Sequence, residues 1–128
     1  MAKILIAEDE KDIRELITLT LQFSGFEVVS ARDGQEAVEV ATTPGNKFDL
    51  ILMDVRMPRK TGYQACREIR DYEGTQSTPL IFLSAKGQES EVQQGLEAGA
   101  DQYILKPFAP DALIKTVKEV LSRTNHGG

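Results

Sequence analysis

Leu50-Ile51-Leu52-Met53-Asp54 carries four apolar side chains in a row and then a carboxylate. A strand with one wet face alternates apolar and polar residues, whereas an unbroken short apolar run is buried on both faces. The same form recurs in Ile4-Leu5-Ile6-Ala7 ahead of Glu8-Asp9, in Leu80-Ile81-Phe82-Leu83 ahead of Ser84, and in Tyr103-Ile104-Leu105 ahead of Lys106. A more mixed run over Glu27–Ala31 follows a stop at Gly25 and suits a sheet edge. Between the runs, apolar residues fall at helical spacing: Ile13, Leu16, Ile17 and Leu21; Gly34, Ala37, Val38 and Ala41; Gly62, Ala65, Cys66 and Ile69; Val92, Gly95, Leu96 and Gly99; and Leu113, Ile114, Val117, Val120 and Leu121. Five strands and five helices in strict alternation predict βαβ units, hence an α/β domain with a parallel sheet covered on both faces.

Bulk properties narrow the function classes. The 128 residues fit one domain, long enough to bury a core without disulfides or a structural metal. A net charge of -5 argues against direct nucleic-acid binding, which leaves a basic footprint. The single cysteine, Cys66, cannot form an internal disulfide, and its place on the third helical stripe makes it a small core residue. No apolar run approaches the roughly 18–20 residues of a membrane span, and Ile4–Ala7 is too short for a signal-peptide core. A cytoplasmic location is expected. The start at Met1 and an ending just past the last helix lead to the expectation of one domain over 1–123 and a tail over 124–128, with no output domain following. Asn46-Lys47 and the Tyr72–Thr78 stretch read as solvated loops.

In parallel α/β sheets, ligands bind beyond the carboxyl ends of the strands. Those ends hold Glu8 and Asp9, Asp54, Ser84 and Lys106, so four of the five strands deliver a reactive or ligating group to one rim. Crowded carboxylates repel, and a divalent cation relieves the repulsion; Mg²⁺ takes oxygen ligands and uses few carboxylates. A carboxylate is also a nucleophile toward phosphorus. The charge on a transferred phosphoryl group needs partners, and the metal, the Lys106 ammonium and the Ser84 hydroxyl have the right chemistry. Taken singly, each residue has an ordinary explanation. Asp9 could cap the first helix, Asp54 could open a turn, Ser84 could end a strand and Lys106 could be solvated. Their conjunction on one rim points to a site.

These residues, with Asp54-Val55-Arg56-Met57-Pro58, Gly62, Ser84-Ala85, Gly95–Asp101 and Lys106-Pro107-Phe108, make the chain resemble a receiver domain of the two-component response regulators, from Lys3 to about Arg123. The resemblance implies a flavodoxin-like sheet of order 2-1-3-4-5. It implies that Asp54 accepts a phosphoryl group from a histidine kinase or a histidine phosphotransfer protein. Asp9 and Asp54 would bind Mg²⁺ (or Mn²⁺) directly, with Glu8 as the second acid and Arg56 supplying a backbone carbonyl. Ser84 would be the switch hydroxyl, Lys106 the phosphoryl partner and Tyr103 the aromatic that turns inward. The Lys106-Pro107 bond would be cis. Phosphorylation would then remodel the face made by the fourth helix, fifth strand and fifth helix, where a downstream protein docks; Val92, Gln93 and Ala109 to Lys115 lie near it. Catalysis would be confined to the chain's own phosphorylation and dephosphorylation.

Other assignments fit less well. Aspartyl-phosphate phosphohydrolases carry a second Asp two residues after the nucleophile, where this chain has Arg56. A flavin carrier needs a phosphate loop after the first strand, where Glu8 to Asp12 would repel it. A degenerate receiver would lack part of the residue set. DNA-binding relatives with winged-helix effectors pair through Arg, Glu and Arg where this chain has Val92, Ala112 and Thr116; only Asp101 is kept. A monomer is therefore expected, with a weak dimer left open. Arg56 and Lys86 could overhang the phosphoryl group and tune its lifetime. His126, the only histidine, sits in the tail and is no candidate for a phosphohistidine.

Overall fold

The structure is a computed structural model that describes the backbone of residues 2–85 and 89–126, and the side chains of 2–84 and 93–123. Its strands are β1 (Lys3–Ala7), β2 (Glu27–Ala31), β3 (Leu50–Asp54), β4 (Leu80–Ala85) and β5 (Gln102–Lys106). Its helices are α1 (Lys11–Phe23), α2 (Gly34–Ala41), α3 (Gly62–Asp71), α4 (Glu89–Ala98) and α5 (Pro110–His126). The sheet is parallel throughout, in the order β2-β1-β3-β4-β5. β2 is an edge, as its polar residues predict, and Glu27 and Ser30 are exposed.

Alternation along the strands divides the core in two. Leu5, Ile51, Met53, Leu80 and Phe82 pack under Ala37, Ala65, Cys66, Ile69 and Ala98, so α2, α3 and α4 cover one face. Ile4, Ile6, Leu50, Leu52, Ile81, Leu83 and Ile104 pack under Ile17, Leu21, Leu113, Val117 and Val120 of α1 and α5. The three central strands are buried on both sides, which is why their sequences are unbroken apolar runs.

Local signals set the helix starts. Thr61 and Gln64 form a reciprocal capping box at α3. Asp33 caps α2 by accepting the Glu36 N–H at 2.8 Å. Pro110 opens α5, where its missing N–H has no partner to lose.

One loop expectation needs correction. The Tyr72–Thr78 stretch is not simply solvated: Glu73–Thr75 forms a short 3-10 helix and Thr75 is buried, its hydroxyl donating to the Ile69 carbonyl. The cause is Arg70, whose guanidinium donates to the carbonyls of Thr75, Thr78 and Gly99 and pairs with Asp101. The last helix runs to His126, and no Gly or Pro interrupts it after Pro110 and before Gly127. Among the described residues, no helix is long and apolar enough to cross a membrane.

Candidate functional site

The strand register brings the acidic residues together. Ala7 pairs with Met53, so the next residues on the two strands, Glu8 and Asp54, lie side by side. Glu8 continues the phase of Ile4 and Ile6, Asp54 that of Leu50 and Leu52, and Lys106 that of Ile104. These three side chains thus emerge in one phase at the carboxyl edge of the sheet. Lys106 Nζ donates to Glu8 Oε1 at 2.7 Å and lies 3.1 Å from Asp54 Oδ1. Ser84 is buried on β4, in phase with Leu80 and Phe82, one residue beyond Leu83, the register partner of Asp54.

Glu8, Asp9 and Asp54 each offer a carboxylate oxygen, all within 4.8 Å of one another. Glu8 is fully buried, Asp54 nearly so, and Asp9 is exposed. Three hard oxygen donors at that spacing, open to solvent on the Asp9 side, suit a small divalent cation such as Mg²⁺. Burial pushes the Glu8 carboxyl up from the usual carboxylate range to about 7, the Asp54 charge adding to the rise and Lys106 opposing it. Burial alone would lower the Lys106 ammonium, but its hydrogen bond to Glu8 and the charges of Asp54 and Glu8 outweigh that and raise it.

Arg56 is exposed on the loop after β3, two residues past Asp54. The Lys106-Pro107 peptide bond is cis. Tyr103 stands on the edge strand β5, 38% exposed. Lys86, expected with Arg56 to overhang the phosphoryl group, and the side chain of Val92 lie outside the described residues. Cys66 is buried, its thiol donating to the Ala98 carbonyl at 3.4 Å.

Two contacts were not legible in the sequence. Arg14 Nη1 donates to the carbonyls of Glu8 at 2.9 Å and Asp9 at 3.3 Å, so α1 grips the loop that carries both acids. Asp9 itself does not cap α1; the N-cap is Glu10, without a side-chain bond. Arg59, with φ at 66°, forms a two-pronged pair with Asp33, each contact 3.0 Å. A cation one helical turn beyond an acidic loop is a weak hint of the first. Nothing in the sequence hints at the second.

A family model for the response regulator receiver domain matches residues 4–118. The phosphate regulon transcriptional regulatory protein PhoB of Pseudomonas aeruginosa is 44% identical over 124 residues, covering 97% of this chain and 53% of that protein. The chain thus spans about half the length of the transcriptional regulators it matches. Among solved structures, the chemotaxis response regulator CheY4 of Vibrio cholerae superposes with a TM-score of 0.87 at 37% identity, covering 94% of this chain and 98% of that one. The receiver domain of the sensor histidine kinase PA1611 of Pseudomonas aeruginosa superposes equally well, TM-score 0.87 at 33% identity and the same coverage. That structure holds a magnesium ion in its active-site cleft.

Proposed function

The chain belongs to the response regulator receiver family, a family of phosphoryl-accepting signalling domains, and on that premise we propose that Asp54 is its phosphoacceptor. The observation that carries the proposal is the convergence of Asp54, Glu8, Asp9 and Lys106 at one sheet edge. A carboxylate oxygen of Asp54 attacks phosphorus as the bond to the donor's histidine nitrogen breaks, giving an aspartyl phosphate. Lys106, already 3.1 Å from Asp54, pairs with the incoming phosphoryl oxygens. Ser84 donates its hydroxyl to the same group. Glu8, Asp9 and Asp54, with the Arg56 carbonyl, would hold Mg²⁺ (or Mn²⁺). The cation's contribution is to neutralise charge on the transferring group. Arg14 keeps Glu8 and Asp9 in place through their carbonyls.

The donor in this reading is a histidine kinase or a histidine phosphotransfer protein. A cleft of about 280 Å³ lined by Ile13, Leu16, Lys106, Pro107 and Phe108 supports a protein donor, because it sets an apolar rim beside Lys106. The output rests on Ser84, Tyr103 and the surface of α4, β5 and α5, where Leu96, Tyr103 and Leu105 are exposed. Phosphorylation biases two states of that surface, and a downstream protein reads the difference. The chain acts as a cytoplasmic switch that turns over only its own phosphoryl group.

The test is to incubate the chain with Mg²⁺ and acetyl phosphate and record its intact mass. One phosphoryl adduct that is absent in Asp54→Ala supports the assignment. An adduct that persists in Asp54→Ala removes it by placing the phosphoryl group on another residue, and no adduct with any donor leaves a partner-binding receiver that works without phosphorylation.

A further inference from the structure

The loop that leaves Asp54 is closed on itself and then pinned from outside. Its ends meet where the Gly62 N–H donates to the Val55 carbonyl at 2.9 Å. At its tip Arg59 sits at φ 66°, a left-handed conformation uncommon for a side chain of this size. Both Nε and Nη2 of Arg59 reach Asp33, one carboxylate oxygen each, at 3.0 Å. Asp33 is not free to follow the loop, because the same carboxylate caps α2 through the Glu36 N–H. The next residue, Gly34, lies so close beneath Lys60 that a Cβ there would overlap the Lys60 carbonyl. Just upstream, the Ala31 carbonyl accepts the Glu8 N–H at 3.1 Å. The segment from Ala31 to Gly34 therefore touches both loops of the site: the one carrying Glu8 and Asp9, and the one carrying Arg56.

We infer that Asp33 and Arg59 are a positioning pair that fixes the Arg56 loop relative to Asp9 and Asp54 and so sets the affinity for a divalent cation. The inference rests on reading Glu8, Asp9 and Asp54 as the metal site. Neither member of the pair is one of the proposed ligands; the effect runs through backbone. The two-pronged geometry matters because it fixes orientation as well as distance. A left-handed arginine backbone persists only where surrounding contacts hold it, and Asp33 and Gly34 supply them. The pair is well exposed on the Arg59 side, so its loss should leave global stability nearly unchanged while loosening the loop.

Three variants separate the components. Arg59→Gly removes the guanidinium and relaxes the left-handed backbone. Arg59→Lys keeps the charge without the fork. Asp33→Asn keeps a good α2 cap without the charge. Mg²⁺ binding to the whole chain is measured by titration calorimetry beside the melting temperature, and acetyl phosphate labelling is followed against Mg²⁺ concentration. Arg59→Gly and Asp33→Asn should weaken Mg²⁺ binding roughly threefold to tenfold, less than the roughly 10–100-fold cost of losing a direct partner of a metal ligand, because the pair acts through backbone. Arg59→Lys should fall between them and the parent. The Mg²⁺ concentration for half-maximal labelling should rise by the same factor, with the rate at saturating Mg²⁺ unchanged. A parent that binds Mg²⁺ while Arg59→Gly and Asp33→Asn bind it equally well overturns the inference alone. A parent that binds no Mg²⁺ overturns the site assignment and the inference together.

Discussion

The ammonium of Lys106 lies 2.7 Å from a carboxylate oxygen of Glu8, a residue 98 positions away in the chain and wholly buried. Burial nevertheless raises the Glu8 carboxyl to about 7. Between pH 4.5, its ordinary value, and about 7, the folded chain holds more protons on Glu8 than the unfolded chain does. Stability from this group therefore falls as pH rises through that window and is level above it. In metal-free buffer, Glu8→Gln should gain on the parent as pH rises from 5 to 7, reaching roughly 1–3 kcal/mol. Urea unfolding at pH 5, 6, 7 and 8 with a chelator checks this; a constant difference across the series would refute it.

Lys106 is the cation paired with both Glu8 and Asp54. Lys106→Ala leaves two buried carboxylates facing each other. In chelator it should lose about 1–3 kcal/mol, and millimolar Mg²⁺ should restore much of that by stabilising the folded chain. Thermal melts with and without Mg²⁺ measure both effects. A loss that Mg²⁺ does not recover would mean the cation does not share space with the ammonium's partners.

Gly62 packs against the backbone of the proposed phosphoacceptor. A Cβ there would collide with the Asp54 carbonyl oxygen. Gly62→Ala should cost about 1–3 kcal/mol as the loop is forced away. It should also slow acetyl phosphate labelling, because Asp54 moves with it. Chemical unfolding and labelling on the same sample give both numbers, and a stable variant with normal labelling would contradict the packing.

Burial raises the Cys66 thiol to about 11. Thiolate is the reactive form, so almost none exists at pH 8. Native chain should resist a thiol-specific disulfide reagent at pH 8 and react stoichiometrically once unfolded in urea. Rapid labelling of native chain would place the thiol nearer the surface.

The fold was legible because the three central strands are buried on both faces, which leaves unbroken apolar runs at Ile4–Ala7, Leu50–Met53 and Leu80–Leu83. The rim residues followed, since a strand's end fixes where the next side chain goes. What stayed hidden were contacts between loops. Asp33 and Arg59 are 26 residues apart. No periodicity links such pairs. The short 3-10 helix at Glu73–Thr75 was missed for a related reason: a polar stretch reads as solvated unless a distant cation such as Arg70 is known to collect its carbonyls.

Asp101 stands just before β5, its side chain about half exposed. Its Oδ2 already accepts the Leu80 N–H at 2.8 Å and pairs with Arg70 at 3.2 Å. Arg70 is in turn fastened to three backbone carbonyls. An arginine arriving from another molecule must therefore compete with a tethered rival, whose effective concentration is that of an intramolecular ligand. For Asp101, a charge brought by a second molecule meets an oxygen that already has two resident partners.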